Sequence, residues 1–177
     1  MKSKLALNSS KDLTPLSKGL TLSEVLITLV VLAILVAILI VIINPLEYLH
    51  RTQDSNAENV AIEYINACTR YYANHGEMAW KSSPPSSLAF DKEPVLGYTQ
   101  MLISEGELKP EFNGALDKNN RQIYLTAKTN PPEVIVCFDP GSKSLSVDEE
   151  TRYGFDGSLK EGCPDPGEEC YWCLRQE

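Results

Sequence analysis

The side chains best suited to chemistry in this 177-residue sequence are five cysteines. Cys170 and Cys173 are two residues apart, a spacing used by redox pairs and by zinc ligands. Together with Cys137 and Cys163 they could supply the four thiolates of a zinc site. Cys68 lies far upstream of these four. The same cysteines could instead form disulfides, so their role depends on the elements that carry them.

Other catalytic groups are sparse. The only histidines are His50 and His75, which supports neither a Ser-His-Asp or Cys-His arrangement nor a histidine metal centre. No glycine-rich phosphate loop is present. The acidic stretches 148–150 and 165–169 offer oxygen ligands for calcium, but they lack EF-hand spacing and read better as solvated loops. The sequence therefore predicts a protein that is not an enzyme and holds no cofactor or metal.

The charge of the chain argues against nucleic-acid binding. Its 16 Lys and Arg residues face 24 Asp and Glu residues, for a net charge of −8. In residues 1–19 four lysines oppose only Asp12, which gives +3 and leaves −11 for the remainder (−8 minus 3). An acidic chain repels phosphates unless its basic residues form one patch.

An apolar run from Val25 to Ile43, interrupted only by Thr28, predicts a membrane helix. At about 1.5 Å per residue this helix is roughly 28 Å long, close to the thickness of the hydrocarbon core. The basic flank before it holds the N-terminus in the cytoplasm and directs the rest outward. An ordinary secretory signal is the alternative, but the run is long and no small-x-small cleavage site follows it.

The junction before this run carries one carboxylate, Glu24, at the head of the membrane helix. In a plain anchor Glu24 would stay at the headgroup level, near the positive end of the helix. The whole segment reads Lys18-Gly19-Leu20-Thr21-Leu22-Ser23-Glu24-Val25-Leu26. It resembles the prepilin cleavage and methylation motif of type IV pilins and of the pseudopilins of type II secretion.

The resemblance implies specific roles for three residues. A membrane prepilin peptidase would cut after Gly19 and methylate the new amine of Leu20. Glu24 would pair with the N-terminal amine of a neighbouring subunit, which satisfies both charges as the helices leave the bilayer.

The resemblance also implies partners and location. The partners would be further copies of the chain in a helical homopolymer, other pilins, the peptidase/methyltransferase and an inner-membrane assembly platform. The head would lie outside the cytoplasmic membrane before assembly and in a cell-surface or periplasm-spanning filament afterwards. Two alternatives remain: a minor pseudopilin of a type II secretion or DNA-uptake system, and a single-pass anchored extracytoplasmic binding or redox domain.

Beyond Pro45 the pattern changes to an amphipathic helix that ends near Gly76. Apolar residues recur every three or four positions, while charged residues such as Asp54 fall largely between them. The predicted stripe that faces the head comprises Leu46, Leu49, Ala57, Val60, Ala61, Tyr64, Ile65, Cys68, Tyr71 and Tyr72. An unbroken helix from Leu20 to His75 would be on the order of 85 Å long. Pro45 removes one hydrogen bond and is expected to kink or loosen it.

These patterns divide the chain into four parts. Residues 1–19 form a leader, 20–44 a transmembrane or filament-core helix, 45–76 the amphipathic half of the same helix, and 77–177 a globular head. In the head a helix ending at Gly106 and strands near 122–126, 133–138 and 170–175 are predicted. The fold class is α+β, with three or four antiparallel strands packed on the second half of the helix, as the pilin fold implies.

The strand prediction bears on the cysteines. In a strand, Cys170 and Cys173 would lie about 10 Å apart on opposite faces, too far for a bridge. They would pair elsewhere: Cys163 with Cys170 around a Pro-Asp-Pro-Gly loop, and Cys137 with Cys173 between neighbouring strands. Cys68, on the apolar stripe, would remain a buried free thiol. The tetrathiolate zinc site remains the alternative.

Overall fold

A computed structural model describes Gly19 and residues 21–118, 121–164 and 169–176. The residues up to Ile43 and those from Asn44 onward form two separate compact units. The first contains helix α1, Leu22–Ile43, and the second begins with helix α2, Pro45–His75.

Asn44 separates the two helices, so the helical ladder is interrupted at the position where Pro45 was expected to loosen it. Asn44 has φ 45° and ψ 72°, in the left-handed region. A proline disfavours the α conformation of the residue before it, and asparagine tolerates the left-handed conformation better than most residues. At the other end of α2, Gly76 has φ 72°, and its N–H donates to the carbonyl of Tyr72. The helix thus ends where the sequence predicted, and Gly76 closes it with a left-handed cap.

The second unit contains an antiparallel four-stranded sheet in the order β1-β2-β3-β4. Its strands are β1, Leu88–Ala89, β2, Ile123–Thr129, β3, Pro132–Phe138, and β4, Trp172–Gln176. Three further helices are α3, Val95–Ser104, α4, Phe112–Lys118, and α5, Lys143–Ser146. The predicted α+β class, with a long apolar N-terminal helix and an antiparallel sheet, is confirmed. The sequence did not predict β1, α4 or α5.

The main core lies between α2 and one face of the sheet. Tyr64 of α2 is fully buried, and its ring centroid lies 4.7 Å from that of Phe90 and 6.0 Å from that of Phe112. On β3, Val134, Val136 and Phe138 belong to this core, whereas Ile135 and Cys137 join a smaller cluster with Cys173. Because both of its faces are covered, β3 has an almost continuous apolar sequence.

The stripe predicted for α2 is only partly buried. All of its residues from Ala57 to Tyr71 lie in the core, but the prediction was wrong for Leu46, Leu49 and Tyr72, which are exposed. The placement of Asp54 among the solvent-facing residues was also wrong, because its side chain is buried. The spacing that places a residue on the stripe does not show how far along the helix the head extends.

Candidate processing and assembly site

Gly19 lies in exposed, non-helical backbone. Among the described residues, a Cβ added there would meet no atom within 4 Å, and the φ of Gly19 lies outside the left-handed region. The described structure therefore gives no reason of its own for glycine at this position. Leu20 and the leader residues 1–18 lie outside the described residues, so Gly19 alone represents the predicted cleavage site here.

Thr21 and Glu24 form a reciprocal cap at the start of α1. The Glu24 N–H donates to Thr21 Oγ1 at 3.3 Å, and the Thr21 N–H donates to Glu24 Oε2 at 3.4 Å. The Thr21 hydroxyl also donates to Glu24 Oε2, at 3.4 Å. This pattern is a capping box, in which a threonine and a glutamate three residues later satisfy free N–H groups of the first turn. The Glu24 carboxylate is thus held at the positive end of its own helix.

The rest of α1 presents apolar side chains. The exposed fraction of its large apolar side chains from Leu22 to Ile42 lies between 41% at Val25 and 84% at Leu22. Thr28 is polar, but its hydroxyl donates to the Val25 carbonyl at 2.8 Å. With a mean hydropathy of 3.6, residues 22–42 are long and apolar enough to cross a membrane. So much exposed apolar surface requires lipid or other helices to cover it.

The cysteines of the head lie in two disulfides. Cys137 and Cys173 are directly opposed on β3 and β4 and are bonded, with their Cα atoms 4.1 Å apart. Cys163 and Cys170 are bonded across seven residues, with their Cα atoms 5.8 Å apart. Cys170 lies just before β4 rather than within it. With all four sulfurs in disulfides, the structure provides no thiolates for the tetrathiolate zinc alternative.

Cys68 is a free thiol buried in the core of α2, with 1% of its surface exposed. Burial raises the pKa of the Cys68 thiol, because the low-polarity surroundings penalise the thiolate. The thiol is therefore protonated at neutral pH and unreactive.

The histidines and acidic stretches do not converge on a site. The His75 Nδ1 lies 3.0 Å from the Tyr71 carbonyl, and the His50 Nδ1 accepts from Arg121 at 3.0 Å. Residues 148–150 are exposed, whereas Asp165 and Glu168 lie outside the described residues. Within the described ranges, no group of three or more His, Cys, Asp or Glu side chains is placed to hold a metal ion.

Sequence reasoning missed a polar contact at the start of α2. Asp54 Oδ1 accepts from the Gly141 N–H at 3.0 Å and lies 3.2 Å from Arg121 Nε, while Oδ2 accepts from the Ser142 N–H at 2.8 Å. Two turns earlier, Glu47 accepts from the Lys143 N–H at 3.1 Å. We call Glu47, Asp54, Arg121 and the backbone N–H groups of residues 141–143 the carboxylate clasp.

The sequence contained one signal for the clasp. Asp54 lies three residues before Ala57 and so continues the buried stripe Ala57, Ala61, Tyr64, Cys68 by one step. A carboxylate in register with a buried stripe needs partners inside the protein. Those partners are 67 to 88 residues away along the chain, so the local pattern could not identify them.

Comparison with protein-family models places a known motif at the N-terminal end of the chain. Residues 15–40 match the model of the prokaryotic N-terminal methylation motif. The match includes Gly19, the capping box and most of α1. No curated protein and no solved structure matches the chain.

Proposed function

We propose, from the premise that this chain carries the prepilin motif of type IV pilins and pseudopilins, that it is a structural subunit of a type IV pilus-like filament. In this proposal the chain performs no catalysis. A prepilin peptidase removes residues 1–19, and the apolar helix then passes from the membrane into a filament core. The head, residues 77–177, lies outside the cytoplasmic membrane and forms the filament surface.

The observation that carries the proposal is the order of features along the N-terminal unit. The exposed Gly19 precedes the Thr21–Glu24 capping box. The capping box begins helix α1, whose large apolar side chains from Leu22 to Ile42 are all exposed. A plain anchor accounts for the apolar helix but not for a glycine that its own surroundings do not require. A membrane peptidase that admits no side chain at this position accounts for the glycine, and it acts on a chain that the apolar helix holds in the membrane.

The capping box supports an assembly role for Glu24. In a lone subunit the carboxylate is stabilised by Thr21 and by the first turn of α1. In a filament, the amine of a neighbouring Leu20 would supply the opposite charge that a carboxylate buried among helices requires. The exposed apolar surface of α1 would be covered by the same neighbours.

Processing is tested by the N-terminus of the chain purified from source-cell membranes. We expect mass spectrometry to show a start at Leu20 with a methylated amine. In Gly19→Val the cut should be lost while the chain still folds, because nothing described lies within 4 Å of the added Cβ. The matched control Ser23→Ala should be cut normally. An intact Met1 in the unsubstituted chain, or a cut after Ile43, contradicts the proposal.

Assembly is tested separately with Glu24→Gln. Glutamine can still serve in a capping box, but it carries no charge. We therefore expect normal cleavage and no filaments by electron microscopy. Filaments of normal number and length in Glu24→Gln would refute the pairing role. Filaments that contain this chain only at low copy number would favour the minor pseudopilin alternative.

A further inference from the structure

The first two turns of α2 have little apolar support. The buried residues of this helix begin at Asp54, and the large apolar side chains before it are mostly in solvent. Leu46 is 67% exposed, Tyr48 68% and Leu49 56%. Helices in proteins owe most of their stability to a packed apolar face. Something other than apolar packing must hold residues 45–53 in place.

The N-terminal end of α2 gives little help either. Asn44, at the N-cap, makes no side-chain capping hydrogen bond. The ion pair between Glu47 and Arg51, at 3.2 Å, is a surface pair within one helix and stabilises it only slightly. Local interactions alone would leave these turns frayed.

The carboxylate clasp supplies the missing support. Three successive backbone N–H groups, of residues 141–143, donate to the two carboxylates of Asp54 and Glu47. Such a run of N–H groups forms a concave site that suits an anion. Asp54 is 3% exposed, so its bonds form where water competes little. The clasp thus joins the start of α2 to the chain that follows β3.

Gly141 allows this close approach. A Cβ at Gly141 would overlap Arg121 Nη2, so any larger residue displaces the guanidinium group. Arg121 Nε lies 3.2 Å from Asp54 Oδ1, and Arg121 Nη2 donates to His50 Nδ1. Glycine at position 141 therefore leaves room for the Arg121 guanidinium beside Asp54.

We propose that the carboxylate clasp fixes where the rigid, head-bound part of α2 begins. This inference rests on the proposed function, in which the subunit leaves the membrane for a filament. With the clasp closed, backbone change is confined to Asn44 and the residues just before Glu47. Asp54 and Glu47 are positioning residues, which set the helix against the head through bonds to residues 141–143 of the same chain.

Hydrogen exchange of the full chain in detergent micelles tests the clasp. Asn at position 54 keeps one acceptor oxygen but turns an NH₂ group toward a backbone N–H. In Asp54→Asn we expect the amides of residues 48–54 to exchange about tenfold faster or more, as lost hydrogen bonds to a charged group imply. The amides of residues 60–72 should keep their rates, because Tyr64 and its neighbours hold that part of α2 in the core.

Two further variants make the result decisive. Gly141→Ala should cause the same local increase, since it displaces Arg121 without changing the charge of α2. If Asp54→Asn does not fold, Glu47→Ala, which leaves Asp54 in place, should still speed exchange in residues 48–51. The matched control Glu63→Gln, at an exposed position of α2, should change nothing.

Unchanged exchange of residues 48–54 in both Asp54→Asn and Gly141→Ala would overturn the inference. An equal increase over residues 48–72 would also overturn it, because the clasp would then support the whole head. The experiment needs no filament, so it can succeed where the proposed function fails. Conversely, Glu24→Gln tests assembly and leaves the clasp intact.

Discussion

Glu24 and Asp54 show how surroundings decide what a carboxylate does. Glu24 lies in the first turn of an apolar helix, where its described partners are those of the capping box. Asp54 is buried and bound by two backbone N–H groups and an arginine. Glu24 can exchange its partners for one on another chain at modest cost. If Asp54 lost its partners, a buried charge would be left unpaired. These surroundings support the proposed assembly role of Glu24 and the structural role of Asp54.

Cys68 gives a prediction at the scale of one residue. Because burial raises its pKa and hides it from solvent, the Cys68 thiol should resist alkylation in the native chain at pH 8. Denaturation without reductant should expose one reactive thiol, and reduction should expose five. Mass spectrometry after maleimide labelling counts them.

The matched variant Cys68→Ala should show no reactive thiol until the chain is reduced. Rapid labelling of the native chain would contradict the burial of Cys68. Four or more labels without reductant would contradict both disulfides.

The two disulfides should differ in their effect on stability, since they close loops of different length. Cys137 and Cys173 are 36 residues apart, and Cys163 and Cys170 are seven apart. Chain entropy predicts that removing the long bridge lowers the free energy of unfolding by about 4 kcal/mol, and removing the short bridge by about 2 kcal/mol. Thermal unfolding of the two double Cys→Ala variants measures both.

Equal losses, or a larger loss for the short bridge, would show that loop length does not govern these bridges. The two double variants serve as controls for each other, because each removes two thiols and one bridge.

The start of α2 should open at acid pH. Partial burial alone would raise the pKa of Glu47, but hydrogen bonds from the Lys143 N–H and from Arg51 outweigh this effect and lower it. A carboxylate whose pKa is lowered by folding stabilises the fold fully at pH values above its unfolded pKa, 4.5 for glutamate. This stabilisation is lost as the pH falls through the lower pKa of the folded state. Amide hydrogen exchange of residues 48–51, corrected for the pH dependence of the intrinsic exchange rates, should therefore become faster below pH 4.5. In Glu47→Gln the acceleration should be smaller, and an unchanged pH profile would contradict this role.

How much the sequence predicted depends on the element. Helix α1 was predictable because apolarity over 19 residues needs no partner within the chain. Strand β2 was predictable from its alternating pattern and β3 from its β-branched and apolar residues. The two-residue strand β1 and the short helix α5 depend on contacts elsewhere. Ala89 pairs with Tyr124, and the α5 N-cap Ser142 donates its N–H to Asp54. The exposure of Leu46 and Leu49 had the same cause, since only the folded head shows where its surface ends.

At the scale of the whole molecule, the units on either side of residues 43 and 44 have opposite surface chemistry. Helix α1 exposes apolar side chains, whereas residues 44–177 carry −10, the total of −8 less the +3 of the leader and the −1 of Glu24. In the proposed filament, neighbouring α1 helices attract one another because they bury apolar surface. Neighbouring heads repel one another because they carry net charge of the same sign. The filament should therefore be held together by its core and kept apart from other filaments by its heads.

This balance predicts how the filaments respond to salt and pH. The isoelectric point of the full chain is about 4.8, and loss of a +3 leader moves that of the mature chain lower. At pH 7 and low salt the filaments should stay dispersed, and added salt should promote bundling because the Debye length falls from about 30 Å at 0.01 M to about 8 Å at 0.15 M. Acidification toward pH 4.8 should have the same effect by removing charge.

Light scattering and electron microscopy measure bundling. The charge-removing variant Glu149→Gln/Glu150→Gln, at exposed positions, should bundle at lower salt. Bundling that is strongest at pH 7 in low salt would show that specific contacts between heads, rather than their net charge, govern the association of filaments.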